Sequence, residues 1–227
     1  EVTPPVARTK EGAEVELACD PAAPAAAYVF RTVADPFVGK LSYVKVFSGT
    51  LKADTALVNA RTGETERFGK LLALRGKRQT DAGSIGAGDI GAVTKLPAAQ
   101  TGDTLCDPAR VAALPAAAFP NPTLAMALRV VKKGDEGKIG AALARLMEED
   151  RTLSYRVDPE TAQQIISGLG EQHLDVVVAK LKAKFGVEVE LSAPRVAYRE
   201  SVRKKCKAQG RHKKQTGGHG QFGDVWI

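Results

Sequence analysis

The apolar residues of this chain change their spacing once, and that change divides it. Before residue 113 they come in short runs rich in β-branched and aromatic side chains, broken by glycine. Tyr28–Val33 and Leu41–Phe47 are the clearest such runs. Strands of this kind form where one face packs and the other does not. Thr62-Gly63 predicts a hairpin turn between 55–60 and 64–72, and Gly83, Gly86, Gly88 and Gly91 punctuate further short strands. Many short strands with glycine turns predict an all-β closed barrel over 27–112. The residues before it, 1–26, carry Pro4-Pro5 and an Ala/Pro-rich stretch and read as a linker. Residues 113–122, with three prolines at 115–122, read as a second linker.

From residue 123 the period lengthens. Leu124–Val131 has a strand pattern. Ile139, Ala142, Leu143, Leu146 and Met147 then recur at helical spacing, as do Leu174, Val177, Val178, Leu181 and Phe185. Leu153–Val157, Gln164–Ile166 and Val187–Leu191 read as strands. Gly186 follows the second helix where a left-handed residue is favoured. The order β-α-β-β-α-β predicts a ferredoxin-like α/β domain over 123–193. A new strand pattern begins at Val196–Val202 and runs into a basic segment.

No apolar run approaches the roughly 20 residues that span a bilayer, so no membrane partner is expected. Three cysteines, an odd number with no CxxC pair, predict free thiols in a reducing compartment. The net charge is +7, and its placement is uneven. Beyond residue 200 stand Arg203, Lys204, Lys205, Lys207, Arg211, Lys213 and Lys214 against the single acid Asp224. That segment carries +6, and all the rest only +1. A basic stripe of this density points to a polyanion, most commonly nucleic acid. Arg75-Gly76-Lys77-Arg78 is a smaller cluster in the barrel half. Gln215–Gly223 holds four glycines beside Lys213 and Lys214. It reads either as a phosphate cradle of exposed N–H groups or as a tight hairpin turn, and both can hold at once.

Catalytic and cofactor chemistry finds little purchase. A phosphate loop needs Gly-Lys followed by Ser or Thr. The four Gly-Lys pairs, at Lys40, Lys70, Lys77 and Lys138, are followed by Leu, Leu, Arg and Ile. Guanine recognition by Asn-Lys-x-Asp is ruled out because neither Asn59 nor Asn121 precedes a lysine. Cys206, His212 and His219 lack the paired spacing of a zinc site. Glu171 and Asp175 share a helix face while His173 points elsewhere, which is poor geometry for proton relay. No enzymatic activity, cofactor or metal is therefore expected of these residues.

Three phrases occur in a fixed order: Asp35-Pro36-Phe37-Val38-Gly39-Lys40-Leu41, Ser167-Gly168-Leu169-Gly170-Glu171-Gln172-His173-Leu174 and Gln215-Thr216-Gly217-Gly218-His219-Gly220-Gln221-Phe222. Together they resemble the middle of elongation factor G, a translational GTPase. The resemblance implies domains II and III and, over 194–227, the start of domain IV, a further α/β domain. It implies that GTP and Mg²⁺ belong to a domain of the parent preceding these residues. It implies a cytoplasmic monomer that works on the ribosome. Arg75, Lys77 and Arg78 of the barrel, and the basic residues from Arg203 to Lys214, would then meet ribosomal RNA. Glu171 and His173 would sit near an interdomain surface facing the nucleotide-sensing switches. Two departures mark the chain: Asp150-Arg151-Thr152 where the family has Asp-Pro-Thr, and Glu171-Gln172-His173-Leu174 where it has Glu-Leu-His-Leu. Ribosome-protection proteins of the tetracycline-resistance type share the domain order and form one alternative. A stand-alone RNA-binding protein is another.

Overall fold

A computed structural model describes residues 3–35, 39–76, 78–201 and 203–227. The chain divides into a large unit, 1–195, and a small one, 196–227.

The first half of the large unit is antiparallel β structure. Its long hairpin is β3 (Ala26–Asp35) and β4 (Gly39–Ser48). Shorter strands follow: β5 (Thr50–Lys52), β6 (Ala56–Asn59), β7 (Thr65–Arg67), β8 (Leu71–Arg75), β9 (Arg78–Ala82), β10 (Ser84–Gly86), β11 (Ile90–Thr94) and β12 (Thr104–Cys106). Eight of these form one sheet in the order β7-β6-β12-β3-β4-β11-β8-β9, and β10 pairs with β5. Alternation along β4 sends Val44 and Val46 inward. They join Val29, Leu51, Leu57, Phe68, Leu71, Val93 and Leu105 in one core. Burying each leucine there is worth about 2 kcal/mol.

The residues ahead of β3 are not a linker. Strands β1 (Val6–Arg8) and β2 (Glu14–Glu16) form a hairpin. Ala7 and Leu17 are fully buried against Ala26, Ala112 and Leu114. The expected second linker is likewise pinned at its start. Arg8 and Ala113 exchange backbone hydrogen bonds of 2.8 Å in both directions. The Leu114 N–H donates to Thr104 Oγ1 at 2.9 Å, and the Ala117 N–H to the Tyr28 hydroxyl at 3.2 Å. Proline-rich sequence carried no sign of this, because the partners lie on distant strands.

The second half is the expected α/β arrangement: β13 (Leu124–Val130), α1 (Glu136–Glu149), β14 (Ser154–Val157), β15 (Gln164–Gly168), α2 (Glu171–Phe185) and β16 (Val189–Ser192). The sheet order β14-β15-β13-β16 places the two central strands between the two outer ones, as a split βαβ repeat requires. Ile139, Leu143 and Leu146 of α1 and Leu174, Val177 and Leu181 of α2 pack with Leu128, Ile166 and Val187. Gly186 ends α2 in the left-handed conformation (φ +66°), and its N–H caps the last turn on the carbonyls of Leu181 and Lys182.

In the small unit, β17 (Gln209–Lys214) and β18 (Gln221–Trp226) form an antiparallel hairpin. The strand expected at 196–202 is not found. Residues 196–201 have no regular structure, and Val196 and Tyr198 are exposed. A strand needs a ladder partner, and none is available there among the described residues. No described helix is long and apolar enough to cross a membrane.

Candidate functional site

Two hairpins carry five of the basic residues singled out from sequence, Arg75, Arg78, Arg211, Lys213 and Lys214, while Arg203, Lys204, Lys205 and Lys207 precede the second hairpin in irregular chain. In the small unit the register sets Lys213 opposite Phe222, Arg211 opposite Asp224 and Lys214 opposite Gln221. Alternation therefore puts Arg211 and Lys213 on one face with Phe222 and Asp224. The Arg211 guanidinium lies 5.5 Å from the centre of the Phe222 ring. Asp224 is already engaged. It accepts two hydrogen bonds from Gln209 Nε2, at 2.9 and 3.0 Å, and lies 3.9 Å from Arg211 Nε. It leaves the lysines unneutralised. Among the described residues, Arg203, Lys204, Lys205, Lys207, Lys213 and Lys214 are exposed and have no carboxylate within ion-pair distance. The segment 215–220 is the hairpin turn, with Gly217 and Gly218 at positive φ. His212 pairs loosely with Gln221 at 3.4 Å. No three metal-ligating side chains converge among the described residues.

The second hairpin is β8–β9. Its register sets Arg75 directly opposite Arg78. Both are exposed and line a cleft of about 330 Å³ with Ala73, Leu74 and Thr80. Like charges opposed across a ladder are unfavourable unless an anion intervenes. Lys77 lies outside the described residues.

His173 is not on an idle face. Its ring is mostly buried, with Nδ1 accepting the Leu169 N–H at 3.0 Å and Nε2 standing 3.0 Å from Asp150 Oδ2. With Nδ1 used as an acceptor, the proton sits on Nε2 and is donated to the carboxylate. A Cβ at Gly168 would lie 2.9 Å from that Nδ1, so glycine makes room for the ring. Burial pushes the Asp150 carboxyl up. The Thr152 hydroxyl and N–H and the His173 ring outweigh it and hold the group below the ordinary carboxylate range. Glu171 is exposed at the first turn of α2, where the helix dipole favours an acid.

Glu149 and Arg151 tie the α/β half to the β half, although the sequence marked Arg151 only as a departure from the family and gave Glu149 no role. Glu149 Oε1 accepts the Ala34 N–H at 2.8 Å, and Arg151 Nη1 donates to Gln100 Oε1 at 2.7 Å. The one available signal was the departure at Arg151, where a proline would bear no guanidinium.

A β-sheet domain with its own core is followed by a ferredoxin-like domain, and the small unit is a basic hairpin. Three family models match in succession: Elongation factor G domain 2 over residues 24–108, Elongation Factor G, domain III over 119–193, and Elongation factor G, domain IV over 194–227. The chain belongs to the elongation factor G family. The crystal structure of ttk003000868 from Thermus thermophilus is similar, at 36% identity and a TM-score of 0.71. The match covers 89% of this chain and 31% of that one, so the chain spans about a third of that protein's length.

Proposed function

We propose that this chain is the ribosome-docking and signal-transmitting part of an elongation-factor-G-like translational GTPase acting in translocation. RNA phosphates would be met by Arg75, Lys77 and Arg78 on the barrel and by Arg203, Lys204, Lys205, Lys207, Arg211, Lys213 and Lys214 on the domain IV segment. The observation that carries this reading is the hairpin of lysines and arginine whose single acid is occupied by its own neighbours. Exposed cations without carboxylates keep their full attraction for phosphate, and bound RNA releases counterions as they engage. The glycine turn at 215–220 adds backbone N–H groups that can approach a phosphate closely. GTP and Mg²⁺ would be held by another domain of the parent, and the sheet and α/β domains would pass its state onward.

The test is binding to ribosomes or ribosomal RNA over a salt series. Affinity is expected to fall steeply between about 50 and 200 mM salt. Binding unchanged by salt would overturn the phosphate assignment. The purified chain is also expected to show no magnesium-dependent GTP turnover.

A further inference from the structure

Glu149, Asp150 and Arg151 are consecutive, yet they reach three separate parts of the large unit: β3, α2 and the loop that holds Gln100. Glu149 ends α1, and its side chain is only 9% exposed. Its carboxylate takes the Ala34 N–H of β3, Lys184 Nζ at 2.7 Å and, more distantly, Lys180 Nζ at 3.8 Å. Asp150 leaves the helix in extended conformation, and its own N–H still caps the Leu146 carbonyl. The extended backbone turns its side chain away from that of Glu149 and toward His173. Arg151 then reaches Gln100. The Gln100 N–H is itself held at 2.9 Å by Asp103, which is buried and paired with Arg61.

We infer that Glu149, Asp150 and Arg151 form a mechanical joint. A displacement of the Gly168–His173 turn is passed through it to strand β3 and to Gln100 of the β domain. Two observations distinguish a joint from a static weld. First, the seam is incompletely filled. The apolar cores of the two halves share no residue, and a cavity of about 200 Å³ lies between them, lined by Thr32, Lys40, Gln100, Met147, Glu148 and Arg151. A close-packed core resists opening more than a seam that already contains a void. Second, the charge balance survives opening. Both lysine partners of Glu149 are on α2, so releasing Ala34 strands no buried carboxylate; it frees one amide, which water can satisfy.

At the other end, His173 ties the turn before α2 to Asp150 through one protonated nitrogen, while its second nitrogen holds the Leu169 N–H. Moving that turn pulls on Asp150, and Asp150 is covalently next to Glu149. The path runs 169–173–150–149–34, entirely through hydrogen bonds and one peptide bond.

The inference rests on the signal-transmitting half of the proposed function. Its test needs no RNA, so failure of the salt series and failure of the joint are separately visible. Residue-resolved hydrogen exchange is measured on the 227-residue protein and three variants. Glu149→Ala is expected to speed exchange at Ala34 directly. His173→Gln and Asp150→Asn, which do not touch Ala34, are expected to speed it roughly fivefold or more, the low end of typical coupling. Phe68, a buried core residue whose N–H is bonded to the Thr55 carbonyl, lies off this path, serves as the control and is expected not to change. Coupling is reciprocal, so Glu149→Ala is also expected to speed exchange at Leu169. An Ala34 rate unmoved by His173→Gln and Asp150→Asn overturns the joint. So does an Ala34 rate unmoved by Glu149→Ala, since the contact would not form in solution. Equal acceleration at Phe68 and Ala34 overturns it too, because the seam would then have no opening of its own.

Discussion

Arg75 and Arg78 face each other across the β8–β9 hairpin, and among the described residues neither has a carboxylate partner. Folding gains nothing from that arrangement, which makes it a candidate for selection by a ligand rather than by stability. Arg78→Ala is expected to raise the stability of the free protein slightly, by about 0.5 kcal/mol, as like-charge opposition is relieved. The same change is expected to weaken RNA binding. Denaturant titration and RNA binding measured on one variant check this. A loss of both stability and affinity would mean the arginines support the fold instead.

The lysines of the β17 strand predict a graded salt response. Each phosphate contact contributes about 0.7 to the slope of log affinity against log salt for a single strand. Lys213→Ala with Lys214→Ala is expected to reduce the slope magnitude by about 1.4, without changing far-ultraviolet dichroism, since both side chains are exposed. An unchanged slope would remove these two residues from the interface.

Leu17 tests whether the leading hairpin belongs to the fold. It is 1% exposed and packs with Ala7, Ala26, Ala112 and Leu114. Leu17→Ala is expected to cost on the order of 3 kcal/mol, through lost burial and a residual cavity. Thermal denaturation reads this directly. A shift within error would return residues 3–20 to the status of a loose extension.

Acid sensitivity follows from Asp103. Burial pushes its carboxyl up, but Arg61, Asn59 and the Gln100 N–H hold it below its ordinary value of 3.8. A group depressed on folding binds fewer protons folded than unfolded. Its stabilisation is thus complete above 3.8 and is lost as pH falls through the lower, folded value. Asp150 acts in the same direction. Glu66 acts oppositely: burial raises its carboxyl, so its ionisation opposes folding as pH rises above 4.5. Asp103→Asn is expected to cost on the order of 2 kcal/mol at neutral pH. Its stability curve is expected to converge on the wild-type curve only as pH falls below 3.8 and through the lower, folded value. Parallel curves would contradict the assignment.

The hairpin at 215–220 shows how a sequence reading can be right about place and open about role. The glycines and flanking strand residues marked a turn, and a turn is what forms. The helices α1 and α2 were legible for a similar reason. Their apolar stripes record which face is buried, and Gly186 records where α2 must stop. His173 was less legible. Helix spacing said that it points away from Glu171 and Asp175 but could not say that Asp150, on another element, waits opposite it.

Periodicity, turn chemistry and charge density act between near neighbours. The sequence by itself therefore determined the β then α/β order, the terminal basic hairpin and its family. Tertiary structure alone decided that residues 6–17 join the β domain and that 113 is anchored to 8. It alone decided that Glu149 closes on Ala34, 115 positions away. Those links depend on a backbone N–H, which every residue but proline possesses. Only the folded path of the chain selects which one meets a carboxylate.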